Sequence, residues 1–266
     1  MTVNQKFRRR PRVIPTLLMD SDGRLVKTTK FAKRDYIGDP INAVQIFNKK
    51  EVDELILMDI DASREGRAPH YASIEDIVSE AFMPVAYGGG IKSITEIEEL
   101  YKCGIEKVIL SSALGEGPML ATEAAARFGE QAVVACLQVK SGLFGRLGVR
   151  TLNGKNNLKS DPVSLARALV DSGVGELIIY SIDRDGTYSG YDLDLLGQIT
   201  DAVDVPVVAC GGARGTHDFL AAIEQAKCSA VAAGSIFVYQ AKDKGVLITY
   251  PSQTKLREEL YERISP

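Results

Sequence analysis

Two glycine clusters, Gly88–Gly90 in YGGGI and Gly211–Gly212 in CGGA, each close a short apolar run. The next apolar run in each case ends in small polar residues, Ser111–Ser112 and Gly234–Ser235. Glycines at such points let backbone N–H groups approach an anion, which is the chemistry of a phosphate cradle. Simple loop geometry accounts for one such pair, whereas two matched pairs favour a ligand carrying phosphate. Four aspartates, Asp59, Asp61, Asp183 and Asp185, end two further runs, ELILMDI and ELIIYSI. They can bind hydroxyls or orient loops, and for Asp59 and Asp183 a structural cap is an equal alternative. Tyr180 adds a bulky group at the second of these ends. The run VACLQVKS (134–141) closes on Gln138, an amide that neither gives nor takes a proton near neutral pH. It can hydrogen-bond a ligand but cannot act as a general acid or base.

The elements that must position these groups are eight apolar runs: 12–19, 54–60, 83–89, 107–112, 132–139, 176–182, 205–212 and 230–235. Each is continuous rather than alternating, as expected of parallel strands covered on both faces. Helical patterns separate them. In SITEIEELYKCG (93–104), Ser93 and Glu96 form a capping box and Gly104 is a natural terminator. In DPINAVQIFNKK, Asp39 is a cap with Pro40 at the first helical position. A further helix is expected over 161–173. Eight such units in one chain predict an α/β fold, a (β/α)8 TIM barrel with its sites at the C-terminal strand ends. The halves echo one another, with offsets of 124, 123 and 123 residues from Asp59 to Asp183, Gly89 to Gly212 and Ser112 to Ser235. The barrel is therefore expected to be a duplicated half-barrel, with one anion cradle per half.

Composition bounds the partners. The chain has 266 residues, 25% charged and 45% hydrophobic, with a net charge of -3, so no global field draws it to nucleic acid or a membrane. Residues 1–11, MTVNQKFRRRP, read as a basic tail without the apolar stretch of a signal peptide, and 12–266 as a single barrel domain. No run is long enough to span a membrane. The four cysteines are isolated and mostly lie in apolar runs, and the two histidines sit beside no cysteine pair. Core thiols in a reducing cytoplasm fit better than metal ligands, and no metal or cofactor is expected.

The motifs GDP (38–40), DELILMDIDAS (53–63), GGGI (88–91), SIDRDGT (181–187) with SGYD (189–192), and GGA (211–213) together resemble the cyclase subunit of imidazole glycerol phosphate synthase. The resemblance covers roughly residues 12–250. It implies a barrel that receives ammonia from a glutaminase docked on its N-terminal face and uses it at the opposite face to cleave and cyclise a bis-phosphate ribonucleotide. By resemblance, Gly89, Gly90, Ser111 and Ser112 would hold one phosphate, Gly211, Gly212, Gly234 and Ser235 the other, and Asp185 would touch the substrate. The family's general acid and base are two aspartates at the ends of strands one and five. Here the second maps onto Gln138 and the first onto Leu18, or Met19 if an inserted residue is placed earlier. Asp20 is the remaining carboxylate that could swing toward the mouth, beside Asp59. The family also closes the N-terminal end of its barrel with four charges that pass ammonia, and these correspond to Arg12, Glu54, Lys107 and Glu176. On physics alone the same four could be a structural salt-bridge layer.

Within the family, RVIPTLL, GRLVKTTKF, YIGDPINAVQIFN and YPSQTKL resemble paralogues encoded with bacterial surface-polysaccharide genes. That likeness implies ammonia supply to an ATP-dependent amidotransferase that converts an N-acetyl sugar to an acetamidino sugar. Without its aspartates the chain is expected to be an ammonia-conducting, non-cyclising subunit. The alternatives are a genuine cyclase of histidine biosynthesis and a sugar-phosphate binding or scaffold protein without ammonia traffic.

Overall fold

The eight apolar runs become eight parallel strands in the computed structural model, which describes residues 10–142, 145–240 and 245–264. They are β1 (Arg12–Met19), β2 (Leu55–Asp59), β3 (Val85–Gly88), β4 (Lys107–Leu110), β5 (Val133–Ser141), β6 (Glu176–Ser181), β7 (Val207–Cys210) and β8 (Ala230–Ala233). Each pairs in parallel with the next, and β1 pairs with both β2 and β8, so the sheet closes on itself. This is the (β/α)8 TIM barrel that the sequence predicts. The strands are buried on both faces, which is why their sequences do not alternate.

Two apolar layers follow from that burial. Outside the sheet, residues such as Val44, Phe47, Ile97, Leu100 and Phe219 pack the helices onto the strands. Inside, Ile14, Ile56, Ile109, Val134, Ile178 and Val208 fill the barrel, with small Ala86, Ala230 and Ala232 between them. The helices start where their caps predict. Ser93 and Glu96 satisfy each other's backbone groups ahead of helix Ile94–Lys102. Asp39 accepts from the Asn42 N–H ahead of Pro40–Lys49, and Asp161 from the Ser164 N–H ahead of Pro162–Asp171. Residues 1–9 of the expected basic tail lie outside the described residues. Arg10 is ion-paired to Asp53 and lies 4.6 Å over the Tyr261 ring.

Two additions to the barrel matter for the mouth. An antiparallel hairpin, Leu25–Thr29 with Lys33–Gly38, extends β1 through the pair Leu18 with Val26. A second antiparallel strand, Leu147–Thr151, extends β5 through the pair Gln138 with Arg150. Leu18 and Gln138 therefore sit at equivalent points in the two halves, where a parallel barrel strand takes on an antiparallel neighbour. The halves also turn alike after β3 and β7. Gly89 and Gly212 have φ of +124° and +106°, and a Cβ on either would come within 2.3 Å of the Asp59 carbonyl or 2.2 Å of the Gly190 carbonyl. Those positions admit only glycine, and the glycine ends each strand.

Candidate functional site

The C-terminal mouth contains two cavities. The first is lined by Leu18, Met58, Asp59, Gly89, Gly90, Ser111, Ser112 and Gln138, together with Phe31, Arg34, Asn153 and Tyr180. The Gly90 N–H donates to Ser63 Oγ at 3.1 Å. Gln138 is only 6% exposed; its Nε2 donates to Ser111 Oγ at 3.1 Å, and its Oε1 has no partner. Leu18, at the equivalent point of the first half, is buried and apolar. Among the described residues, Asp59 is the one carboxylate on this lining. It accepts from the backbone N–H groups of Asp61 and Ala62 at 3.0 and 2.9 Å and pairs with Arg67 at 2.8 Å. Of the two roles open to Asp59, its contacts are those of a cap.

Asp20 corrects an expectation. It does not line either cavity. The loop makes a tight turn in which Asp20 accepts from the Asp22 and Arg24 N–H groups at 3.0 Å and pairs with the Arg24 guanidinium at 2.9 Å. Its carboxylate holds that turn and is not turned inward.

The second cavity is lined by Lys27, Asp185, Gly211, Gly212, Gly234 and Ser235, among others. Asp185, expected to touch the substrate, is on this lining. It is 2% exposed, and its carboxylate accepts from Lys27 Nζ at 2.8 Å, Thr28 Oγ1 at 2.8 Å, the Tyr180 hydroxyl at 3.0 Å and the Phe31 N–H at 3.4 Å. Three of these donors belong to the hairpin after β1, so Asp185 fastens that hairpin across the mouth. Burial, and then the Asp185 charge, hold the Tyr180 phenol well above the usual tyrosine range. Its ring meets Phe31 edge-on at 4.9 Å and lines both cavities, forming the wall between them.

The other aspartates are also engaged. Asp183 accepts from the Ser141 N–H at 2.7 Å. Asp61 takes both Arg34 terminal nitrogens at 2.7 and 2.6 Å; burial pushes its carboxyl up, and Arg34 and Arg64 hold it below the usual range on balance. Lys27, Thr28, Phe31, Arg34 and Asn153 were not singled out from the sequence. The one signal for the first four was the segment GRLVKTTKFAKR, which reads as a polar loop until its partner Asp185 is known.

At the opposite end of the barrel, Arg12, Glu54, Lys107 and Glu176 form a ring of alternating sign. Arg12 bonds both glutamates, and Lys107 Nζ reaches Glu54 at 3.0 Å and Glu176 at 2.9 Å. The glutamates are buried, while Arg12 and Lys107 keep partial contact with solvent. Burial pushes the Glu176 carboxyl up, but Arg12 and Lys107 outweigh it and hold the group below the usual carboxylate range. Arg12 is in turn held above its ordinary value, because the two glutamates outweigh its burial. Among the described residues no group of His, Cys, Asp and Glu is arranged to hold a metal ion, and no helix is long and apolar enough to cross a membrane.

Residues 12–243 match the family described as "Histidine biosynthesis protein". The chain is 47% identical over 247 residues to the imidazole glycerol phosphate synthase subunit hisF2 of Pseudomonas aeruginosa, covering 93% of this chain and 98% of that one. It is 46% identical over 252 residues to the subunit hisF3 of Vibrio vulnificus, covering 94% and 96%. With the imidazole glycerol phosphate synthase subunit HisF of Alkaliphilus metalliredigens it shares 36% identity over 228 residues, 86% and 90% of the two chains.

Proposed function

We propose that this chain, which belongs to the HisF family of imidazole glycerol phosphate synthase subunits, is a non-cyclising subunit that conducts ammonia from a glutaminase to a separate acceptor reaction. One observation carries the reading: among the described residues, the first mouth cavity offers no free proton-transfer group. Leu18 and Gln138 stand where the family resemblance implies aspartates, Asp59 is held by Arg67, and Asp20 is turned into its own loop. A positioned general acid or base is worth about 10²–10⁴-fold in rate, so cyclisation is expected to be lost. The ring of Arg12, Glu54, Lys107 and Glu176 keeps both signs at the opposite end, which supports a retained ammonia gate facing the glutaminase.

The acceptor is an ATP-dependent amidotransferase that makes an acetamidino group on a surface-polysaccharide sugar. This assignment rests on the resemblance of RVIPTLL, GRLVKTTKF and YPSQTKL to that branch. The numbered names of the Pseudomonas and Vibrio relatives fit a paralogue. The four unpaired cysteines, three of them buried, fit a reducing cytoplasm. Incubating the purified chain with ammonium salt and the bis-phosphate ribonucleotide tests the central claim. No cyclised product is expected, and turnover at about 1 s⁻¹ or more would overturn it.

A further inference from the structure

One arm of the mouth is charged unlike the rest of the chain. Between Glu130 and Asp161 there is no acidic residue, and the stretch holds Lys140, Arg146, Arg150, Lys155 and Lys159, in a chain whose net charge is -3. The five lie on the end of β5, on the antiparallel strand Leu147–Thr151 that extends it, and on the segment that turns back through Asn156–Asn157. Other cations at the mouth are neutralised: Lys27 by Asp185, Arg34 and Arg64 by Asp61, Arg67 by Asp59, and Arg214 by Asp218. Among the described residues none of the five arm cations is in an ion pair. Lys140, Arg146, Lys155 and Lys159 are exposed.

Their spacing fits a broad partner. At about 3.4 Å per residue, the strand Leu147–Thr151 sets Arg146 and Lys155 roughly 17 Å apart. One small anion cannot meet both, whereas a protein face can. That distance is about twice the screening length of about 8 Å at physiological ionic strength. A partner over the arm therefore feels the arm and not the net charge of the chain. An apolar neighbour adjoins it. Met119, 82% exposed, opens helix Met119–Phe128, and the turn before it, Ser112–Glu116, leans on the arm. A Cβ on Gly115 would stand 3.5 Å from Leu158 Cδ2 and 3.7 Å from Thr151 Oγ1. Methionine and arginine are enriched in protein interfaces. Asn153, in the turn of the arm, lines the first cavity, so a protein seated on the arm lies beside the opening.

Ammonia released into water at the mouth is lost to dilution and protonation, so an acceptor enzyme must cover the opening. We infer that this arm and Met119 are the docking surface for that enzyme, which presents an acidic face to them. The inference rests on the ammonia transfer proposed above and adds where the acceptor sits and by what chemistry it is held.

Surface plasmon resonance of the full chain with the ATP-dependent amidotransferase, at about 50 and 500 mM salt, tests it. Association should slow with salt, and Arg146→Glu with Lys155→Glu should slow it about tenfold at the lower salt, as steering charges do. Lys49→Glu with Lys227→Glu makes the same change in net charge at exposed positions on the opposite end of the barrel. It should leave association within about twofold. Met119→Ser should speed dissociation about fivefold and leave association unchanged; an unchanged dissociation rate would take Met119 out of the surface. Equal slowing by both charge-reversed pairs, or by neither, would overturn the arm as the docking site, as would no binding at all. Arm-dependent binding to phosphatidylglycerol vesicles without binding to the amidotransferase would replace the protein partner with a lipid surface. In each of these cases the cyclisation and glutamine assays still decide the ammonia reading separately.

Discussion

Glu176 shows how one side chain at the closed end of the barrel ties stability to pH. Burial alone would raise its pKa, but Arg12 and Lys107 lower it further than burial raises it. A carboxyl whose folded pKa lies below its unfolded value, about 4.3 for a free glutamate, stabilises the fold above that unfolded value. The contribution disappears as pH falls through the depressed folded value. Glu176→Gln should therefore cost stability at neutral pH. Removing one member of a buried pair costs about 3–5 kcal/mol, and the low end applies here because Arg12 and Lys107 retain partial solvent contact. Urea unfolding of both proteins at pH 7, 5 and 3.5 measures this. The gap should hold between pH 7 and 5 and narrow at the lowest pH; a gap independent of pH would show that Glu176 contributes only by packing. Gln138 is the counterpart at the open end: an amide cannot respond to pH, so ligand binding there should not titrate through Gln138.

Among the elements, the hairpin formed by Leu25–Thr29 and Lys33–Gly38 contributes to the lining of both mouth cavities. Asp185 fastens it through Lys27, Thr28 and the Phe31 N–H. Asp185→Asn keeps the shape and one acceptor but leaves Lys27 as a buried cation without a counter-charge. That should destabilise by about 3–5 kcal/mol and raise hydrogen exchange across 25–38 before the rest of the sheet. If exchange in the hairpin stays at the wild-type rate, Asp185 is not what holds it. The strands of the barrel were legible because burial on both faces leaves continuous apolar runs, and β1 runs from Arg12 to Met19 as read. The hairpin was not legible as strands, since LVKTT and KRDYIG carry no clear period and their anchor lies 158 residues away. For the same reason the position of Asp185 at a strand end was visible, but its hairpin donors were not. Asp20 misled in the opposite way, because a turn that closes on Arg24 looks in sequence like a free carboxylate near the mouth.

The whole molecule is a duplicated barrel whose ends carry different fates, and the near-constant offsets between halves made that duplication readable. Equivalent glycines, Gly89 and Gly212, still make equivalent turns, and each half lines a cavity at the mouth. The closed end keeps its ring intact: Lys107 bridges Glu54 and Glu176, and Arg12 bridges them from the other side. Two cations and two carboxylates leave no net charge, which makes a closed layer tolerable where water is scarce. If this layer is the gate between a glutaminase and the barrel, removing Lys107 leaves two carboxylates with one cation and misfits the gate without touching the mouth. Lys107→Met should then fold, with a loss of about 3 kcal/mol or less, because its methylene stem is conserved and the β4 register is set by its neighbours. In the complex reconstituted with glutaminase and amidotransferase, product formation from glutamine should fall severalfold more than product formation from added ammonium salt. Both rates are measured at the same protein concentration, after confirming that the complex forms. An equal fall would assign Lys107 to stability or docking, and no fall in either assay would leave the ring as a structural layer and remove the gate from the proposed function.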